Sequence, residues 1–154
     1  MKRMMTAGTI LFLLIATVLL TGCAGAMIPH DYKVALSNLP YPKDAPYGKN
    51  PDIVVVREGT NLRIVNRTPW AYPDMQLWVN QLFVYNNPSV NIGTNNIVPL
   101  PECINLYEES YPVGTFLRPE RGYPVVLAEL YDPKAKMKYR LNVQPVRDDP
   151  GIFW

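Results

Sequence analysis

The sequence predicts an all-β domain, an antiparallel sandwich or barrel, over residues 52–146. Short runs of β-branched and aromatic residues recur there, and clusters of Gly, Pro and Asn separate them. No stretch keeps the helical spacing of apolar residues over a dozen positions. About six to eight short strands joined by such turns are typical of this fold class.

Turn residues bound each predicted strand. Strands are expected at residues 53–56, 62–65, 75–80, 90–92, 97–98, 123–131 and 136–143. Turns are expected at Glu58-Gly59, Asn86-Asn87-Pro88, Gly93-Thr94-Asn95-Asn96 and Asp132-Pro133-Lys134-Ala135. Within residues 75–80, Trp78 shares a face with Gln76 and Asn80, so its face is expected to be polar and outward.

Residues 24–51 are predicted to be a tether. Five prolines interrupt them and no apolar period is sustained. Proline at this density opposes helix and central strand, and a polyproline-like segment extends by about 3.1 Å per residue. We expect a semi-rigid spacer ahead of the domain. The predicted organisation is an N-terminal segment at 1–22, a Pro-rich tether at 23–51, a β domain at 52–146 and a tail at 147–154.

The first 23 residues carry an export pattern. Lys2 and Arg3 form a positive region, residues 10–20 are continuously apolar, and Leu20-Thr21-Gly22-Cys23 closes the run. This segment resembles the signal peptide and lipobox of bacterial lipoproteins. The resemblance implies cleavage between Gly22 and Cys23, an S-diacylglycerol on the Cys23 sulfur, and acylation of the freed amine, as with palmitate.

Two other interpretations of this segment stay open. An ordinary signal peptidase could cut after Ala24-Gly25-Ala26, which fits a small-residue cleavage pattern. The segment could also remain as a membrane helix, although spanning takes about 20 apolar residues and the apolar run covers only residues 10–20. Two or more acyl chains would anchor stably. Ala24 is not the aspartate that retains enterobacterial-type lipoproteins in the inner membrane, so the resemblance implies the outer membrane of a bacterial envelope.

Charge and cysteine content restrict the classes of partner and of covalent cross-link that the domain can have. Of 15 Lys and Arg, Lys2 and Arg3 belong to the leader, so the rest balance the 13 Asp and Glu. A neutral domain without a basic cluster has no electrostatic footprint for nucleic acid. With Cys23 lipidated, Cys103 has no intrachain partner. It is interpreted as a small buried hydrophobe or, alternatively, as an intermolecular disulfide or reactive thiol.

Chemistry-bearing residues are sparse. The single histidine, His30, lies in the predicted tether, which excludes a His-based triad in the domain. Zinc and calcium motifs such as H-E-x-x-H, C-x-x-C and D-x-D-x-D-G are absent from the sequence. The pairs Glu108-Glu109 and Asp148-Asp149 are expected on a solvated surface. We therefore expect no catalytic residues, no metal, no enzyme activity and no cofactor beyond the lipid on Cys23.

The order of the strands adds a resemblance. The stretch LRIVN-RTPWAYPD-MQLWVN precedes a long loop and then YPVVLAELYD-PKAK-MKYRLNV. Across residues 60–143 this is similar to small bacterial immunoglobulin-like and fibronectin-III-like sandwiches. The resemblance implies a fold and leaves the function open, since such folds host many functions.

Aromatic residues are the leading candidates for partner contacts. Tyr and Trp provide large contact areas with few rotatable bonds, although many aromatics in β domains are simply core. The candidates are Trp70, Tyr72, Trp78, Tyr107, Tyr111, Phe153 and Trp154. The apolar tail is expected to dock on the domain or on a partner. We expect a non-enzymatic structural or interaction module that meets another envelope protein; the alternative is a lipoprotein that binds glycan or peptidoglycan fragments.

Overall fold

The computed structural model describes residues 28–114 and 122–145. The predictions for the leader, Cys23, Asp148-Asp149, Phe153 and Trp154 lie outside these residues. The described part contains helix α1 (His30–Ser37), a 3₁₀ turn (Leu100–Glu102) and strands β1 (Ile53–Glu58), β2 (Asn61–Asn66), β3 (Gln76–Val79), β4 (Phe83–Asn86), β5 (Gly93–Pro99), β6 (Ala128–Asp132), β7 (Met137–Arg140) and β8 (Asn142–Gln144). The all-β prediction is confirmed. No helix among the described residues is long and apolar enough to span a membrane.

The strands form two four-stranded sheets. The first sheet has the order β5-β2-β1-β8 and the second has the order β4-β3-β6-β7. All pairs are antiparallel except β1 and β8, which run parallel. The last predicted strand is split at Leu141, whose backbone N–H donates to the carbonyl of Ala128 at 2.9 Å. The stretch predicted as one strand therefore pairs in the second sheet as β7 and then crosses to the first sheet, where it pairs as β8.

Both sheets contribute to one hydrophobic core. Strand β2 alternates, so that Leu62 and Ile64 are fully buried while Arg63 and Val65 are partly exposed. They join Leu77 and other buried residues of the second sheet in a single cluster. Because burying apolar surface contributes about 25 cal/mol per Å², this shared cluster is the main force that holds the two sheets together.

The first and last hairpins follow from their turn residues. Gly59 has φ of +59° at the first position of the two-residue loop between Glu58 and Asn61, which is the glycine position of a type II′ turn. In the loop after β6, the Asp132 carboxylate accepts the backbone N–H groups of Lys134 and Ala135 at 2.8 and 3.0 Å. These two turns lie where the sequence predicts them.

One turn prediction and two strand predictions differ from the structure. The expected turn at residues 93–96 is the first half of β5, and the expected strand at 90–92 is only a single bridge between Val90 and Tyr72. The run predicted as a strand from 123 enters β6 only at Ala128. Asn96 is tolerated in a strand because its side chain exchanges two hydrogen bonds with the backbone of Asn91, both at 2.9 Å. The hairpin strand β4 was not predicted.

The predicted tether is also different in the structure. Residues 30–37 form α1, and proline at the position just before a helix is compatible with its start. Leu36 is buried in a second cluster with Trp78, Val84 and Ile104. The described residues 28–51 therefore pack on the outer face of the second sheet and do not extend as a spacer. The physical reason is that this face presents apolar side chains that need a cover.

Candidate interaction surface

A cluster of polar side chains attaches residues 28–51 to the second sheet. It consists of Tyr41, Tyr47, Glu129 and Lys138, and we call it the Tyr–Glu–Lys cluster. Glu129 on β6 is fully buried, and its carboxylate accepts the hydroxyl groups of Tyr41, at 2.8 Å, and of Tyr47. Lys138 on β7 is buried too, with its ammonium 4.9 and 4.6 Å from the two tyrosine ring centroids. The two tyrosines thus provide polar partners for both buried charged side chains, the Glu129 carboxylate and the Lys138 ammonium.

Backbone contacts reinforce this attachment. Lys138 donates its N–H to the carbonyl of Pro46 at 2.9 Å and accepts the N–H of Gly48 at 2.8 Å. Residues 46–48 therefore lie along the outer edge of β7. They cover its free backbone groups, which protects this edge strand from pairing with another chain. A Cβ at Gly48 would lie 2.6 Å from the Tyr139 ring. The close approach of the two segments at this point requires glycine.

The surroundings of Tyr41 favour its protonated form. Burial, and then the hydrogen bond to Glu129, raise the pKa of Tyr41 above its usual value. The Tyr41 hydroxyl therefore remains a donor at neutral pH. Lys138 also donates to the backbone carbonyl of Lys43 at 3.0 Å, so its ammonium is bonded within the same segment. The arrangement is suited to holding a segment in place.

A groove lies between α1 and strands β3 and β4. Its volume is about 400 Å³, and its apolar lining includes Leu36, Leu39, Trp78, Leu82 and Leu106. At its base Tyr41 meets Trp78 edge to face, with ring centroids 5.3 Å apart and an interplanar angle of 77°. The groove is a concave apolar surface of a size that suits side chains of a partner.

A tight turn at residues 105–109 presents two exposed apolar side chains. The Asn105 side chain accepts the backbone N–H groups of Tyr107 and Glu109, both at 2.9 Å. Its amide also donates to the Glu109 carboxylate at 2.8 Å. Leu106 is 62% exposed and Tyr107 is 74% exposed. The turn therefore holds both side chains in solvent in one fixed backbone arrangement.

A second exposed aromatic side chain lies between β2 and β3. Trp70 is 68% exposed, whereas its backbone is tightly bound. Its carbonyl accepts the Asn66 amide at 2.7 Å and the Thr68 hydroxyl at 3.1 Å. A rigid backbone under an exposed indole lowers the entropy cost of binding a partner.

The five aromatic candidates within the described residues lie in different environments. Trp70 and Tyr107 are exposed, and Tyr72 is half-buried against Tyr139 at a centroid distance of 6.1 Å. The expectation that Trp78 and Tyr111 lie on a binding surface is not met, because both side chains are buried. Residues 28–41 cover Trp78.

Tyr111 is buried because it completes the core. It packs edge to face on Phe83 at 4.9 Å, and its hydroxyl donates to the Tyr123 carbonyl at 3.0 Å. Cys103 is likewise fully buried, which confirms its interpretation as a small hydrophobe, and burial raises the pKa of its thiol. Glu108 and Glu109 are exposed, as predicted.

Sequence reasoning missed the other parts of this surface. Leu82 and Leu106 lie at the rim of the groove, and Glu129 and Lys138 lie beneath residues 28–51. One signal is present in the sequence: Trp78 lies on a face with Gln76 and Asn80, and a tryptophan on such a face indicates that another part of the chain covers it. Within residues 28–114 and 122–145, no three His, Cys, Asp or Glu side chains converge as metal ligands would.

Comparisons with family models, with curated proteins and with solved structures find no match to this chain.

Proposed function

We propose that this chain is a lipid-anchored, non-enzymatic interaction module of a bacterial envelope, with the outer membrane as its location. Cys23 carries the S-diacylglycerol and the N-acyl group, and the mature protein begins there. The sequence Leu20-Thr21-Gly22-Cys23 supports the anchor. The observation that carries the interaction role is the exposed side chain of Trp70 on a backbone fixed by hydrogen bonds.

The proposed fold within the all-β class is an immunoglobulin-like sandwich. Variable-type immunoglobulin domains have a sheet that contains strands C′, C, F and G, and a second sheet in which A, B and E are neighbours. The order β4-β3-β6-β7 supports matching these strands to C′, C, F and G, and the order β5-β2-β1 supports matching these to E, B and A. Strand β8 then continues G and lies parallel to the first strand. In this assignment the Trp70 loop joins B to C at one end of the sandwich, where partner-binding loops occur.

The interaction role is tested by cross-linking in the native envelope. A photoreactive residue at Trp70 should give a discrete adduct with one envelope protein, because a fixed exposed aromatic is suited to a defined contact. Ile97, an exposed residue of β5, provides the matched control position. Equal, diffuse labelling from both positions would contradict a partner site at the Trp70 loop.

A second candidate function is binding of a glycan or peptidoglycan fragment, and the exposed indole of Trp70 favours it. Sugar rings stack on flat aromatic faces, so soluble muropeptide should change tryptophan fluorescence in a saturable way. Trp78 is buried and its emission should not respond. The Trp70→Ala variant should lose the response, and flat titrations of the unmodified chain would remove this candidate.

A further inference from the structure

Little chain is available between the proposed lipid site and the folded domain. Helix α1 begins at His30, seven positions after Cys23. At about 3.3–3.6 Å per residue, seven residues reach at most about 25 Å. Residues 28–51 pack on the second sheet, so they add no further length. A lipid on Cys23 would therefore keep the start of α1 close to the bilayer surface.

The apolar turn lies beside that start. The imidazole Nε2 of His30 is 3.5 Å from the Glu108 carboxylate, and Glu108 directly follows Leu106 and Tyr107. Leu82, which is 58% exposed, lines the same groove as Leu106. Leu106 and Tyr107 thus lie near the point where the chain leaves towards Cys23, and Leu82 shares a groove with Leu106.

We propose that Leu82, Leu106 and Tyr107 form a membrane-contact face, which rests on the headgroup region of the same bilayer that anchors Cys23. This inference rests on the proposed lipid anchor. A tyrosine ring with a polar tip is suited to the boundary between headgroups and acyl chains. The exposed carboxylates of Glu108 and Glu109 beside the face favour a zwitterionic surface over an anionic one.

Three properties of the turn fit this role. Its backbone is fixed by Asn105, so contact with lipid costs little ordering of the loop. Its two apolar side chains are adjacent, which concentrates the exposed surface. The tethered lipid supplies the attachment, so that a small apolar face is sufficient to orient a domain already held at the membrane.

The test uses the lipidated full chain in vesicles of phosphatidylcholine and phosphatidylethanolamine. A lipidated Cys23 has no free thiol and Cys103 is buried, so a fluorophore attaches selectively to a new cysteine in Leu106→Cys. The matched control is Ile97→Cys on β5 of the other sheet. With nitroxide-bearing lipid as quencher, the label at 106 should be quenched at least about twofold more than the label at 97, since interfacial side chains lie about 5–10 Å into the boundary.

The outcomes separate the two proposals. Equal quenching at both positions, in protein whose mass confirms the lipid, would overturn the membrane-contact face and leave the anchor intact. A protein that carries no lipid and does not bind the vesicles would overturn both. The double variant Leu82→Asp/Tyr107→Asp, labelled at 106, should lose most of the excess quenching; unchanged quenching in this variant would also count against the face.

Discussion

Replacing Glu129 with alanine removes the centre of the Tyr–Glu–Lys cluster. The buried carboxylate accepts two tyrosine hydroxyl groups, and hydrogen bonds to a charged group contribute about 1.5–3 kcal/mol each. Part of their sum, about 3–6 kcal/mol, is offset because a carboxylate no longer has to be desolvated. We expect the free energy of unfolding to fall by about 3 kcal/mol.

Urea unfolding of a soluble Cys23→Ala form that lacks the leader measures this loss. Trp78 packs against Tyr41, so tryptophan fluorescence reports directly on detachment of residues 28–51. Because the dependence on urea is about 1–3 kcal/mol per M for a small domain, the midpoint should fall by about 1–3 M. Tyr41→Phe and Tyr47→Phe, which each delete one hydroxyl, should give about 1–2 kcal/mol each.

A Glu129→Ala midpoint equal to that of the parent chain would contradict this stabilising role. Such a result would mean that water replaces the carboxylate as the acceptor for the two tyrosine hydroxyl groups without cost. It would also mean that residues 28–51 are held on the sheet by Leu36 and its apolar neighbours alone.

Three other changes follow from the packing. Asn80→Ala should cost about 2 kcal/mol in urea melts, because its side chain bonds the backbone of Pro124, Val126 and Leu127; an unchanged midpoint would contradict that anchoring. Trp78→Ala should cost about 3–5 kcal/mol, whereas the exposed control Trp70→Ala should stay within about 0.5 kcal/mol, and equal losses would contradict the burial assignment. Burial holds the pKa of the Cys103 thiol above its usual value in the folded protein, so the thiol stays protonated while the unfolded chain ionises near pH 8.5. The stabilisation that depends on the protonated thiol is therefore fully present below that pH and falls by about 1.4 kcal/mol between pH 7.5 and 9.5. Cys103→Ala should reduce the loss of stability over this range by that amount in parallel melts; a loss of equal size in this variant would contradict it.

Local sequence signals determine much of the fold. The β-branched runs of β1 and β2 and the glycine between them specify a hairpin, because Gly59 adopts the positive φ that the turn requires. Asp132 specifies the last turn through its own backbone hydrogen bonds. These features depend on residues within a few positions of one another, so a single sequence is enough to predict them.

Residues 28–51 could not be placed in the same way. An alternating strand shows that two faces differ, and it does not show whether a second layer covers the outer one. In the sequence, Glu129 and Lys138 have the character of solvent-facing residues. Their partners are Tyr41 and Tyr47, which lie about 80–100 positions away in the chain. Proline density correctly indicated irregular backbone after α1, but it carried no information about attachment.

In the candidate site, too, residue type can be read from the sequence whereas burial by distant parts of the chain cannot. Tyr107 was predicted as a contact residue from its type, and its exposure fits that prediction. Trp78 was predicted with the same argument and is buried. The difference is set by tertiary contacts with Tyr41 and Leu36, which residue type and strand alternation do not encode.

The lipid anchor on Cys23 is tested most directly by the intact mass of the protein extracted from membranes, measured for the unmodified chain and for Cys23→Ala. We expect a mature chain that starts at Cys23 and carries the mass of the added acyl groups. We expect the variant to lack both the cleavage at residue 23 and the acyl mass. An unlipidated chain that starts at Met27, or an unprocessed chain that starts at Met1, would contradict the lipid anchor and the membrane-contact face with it.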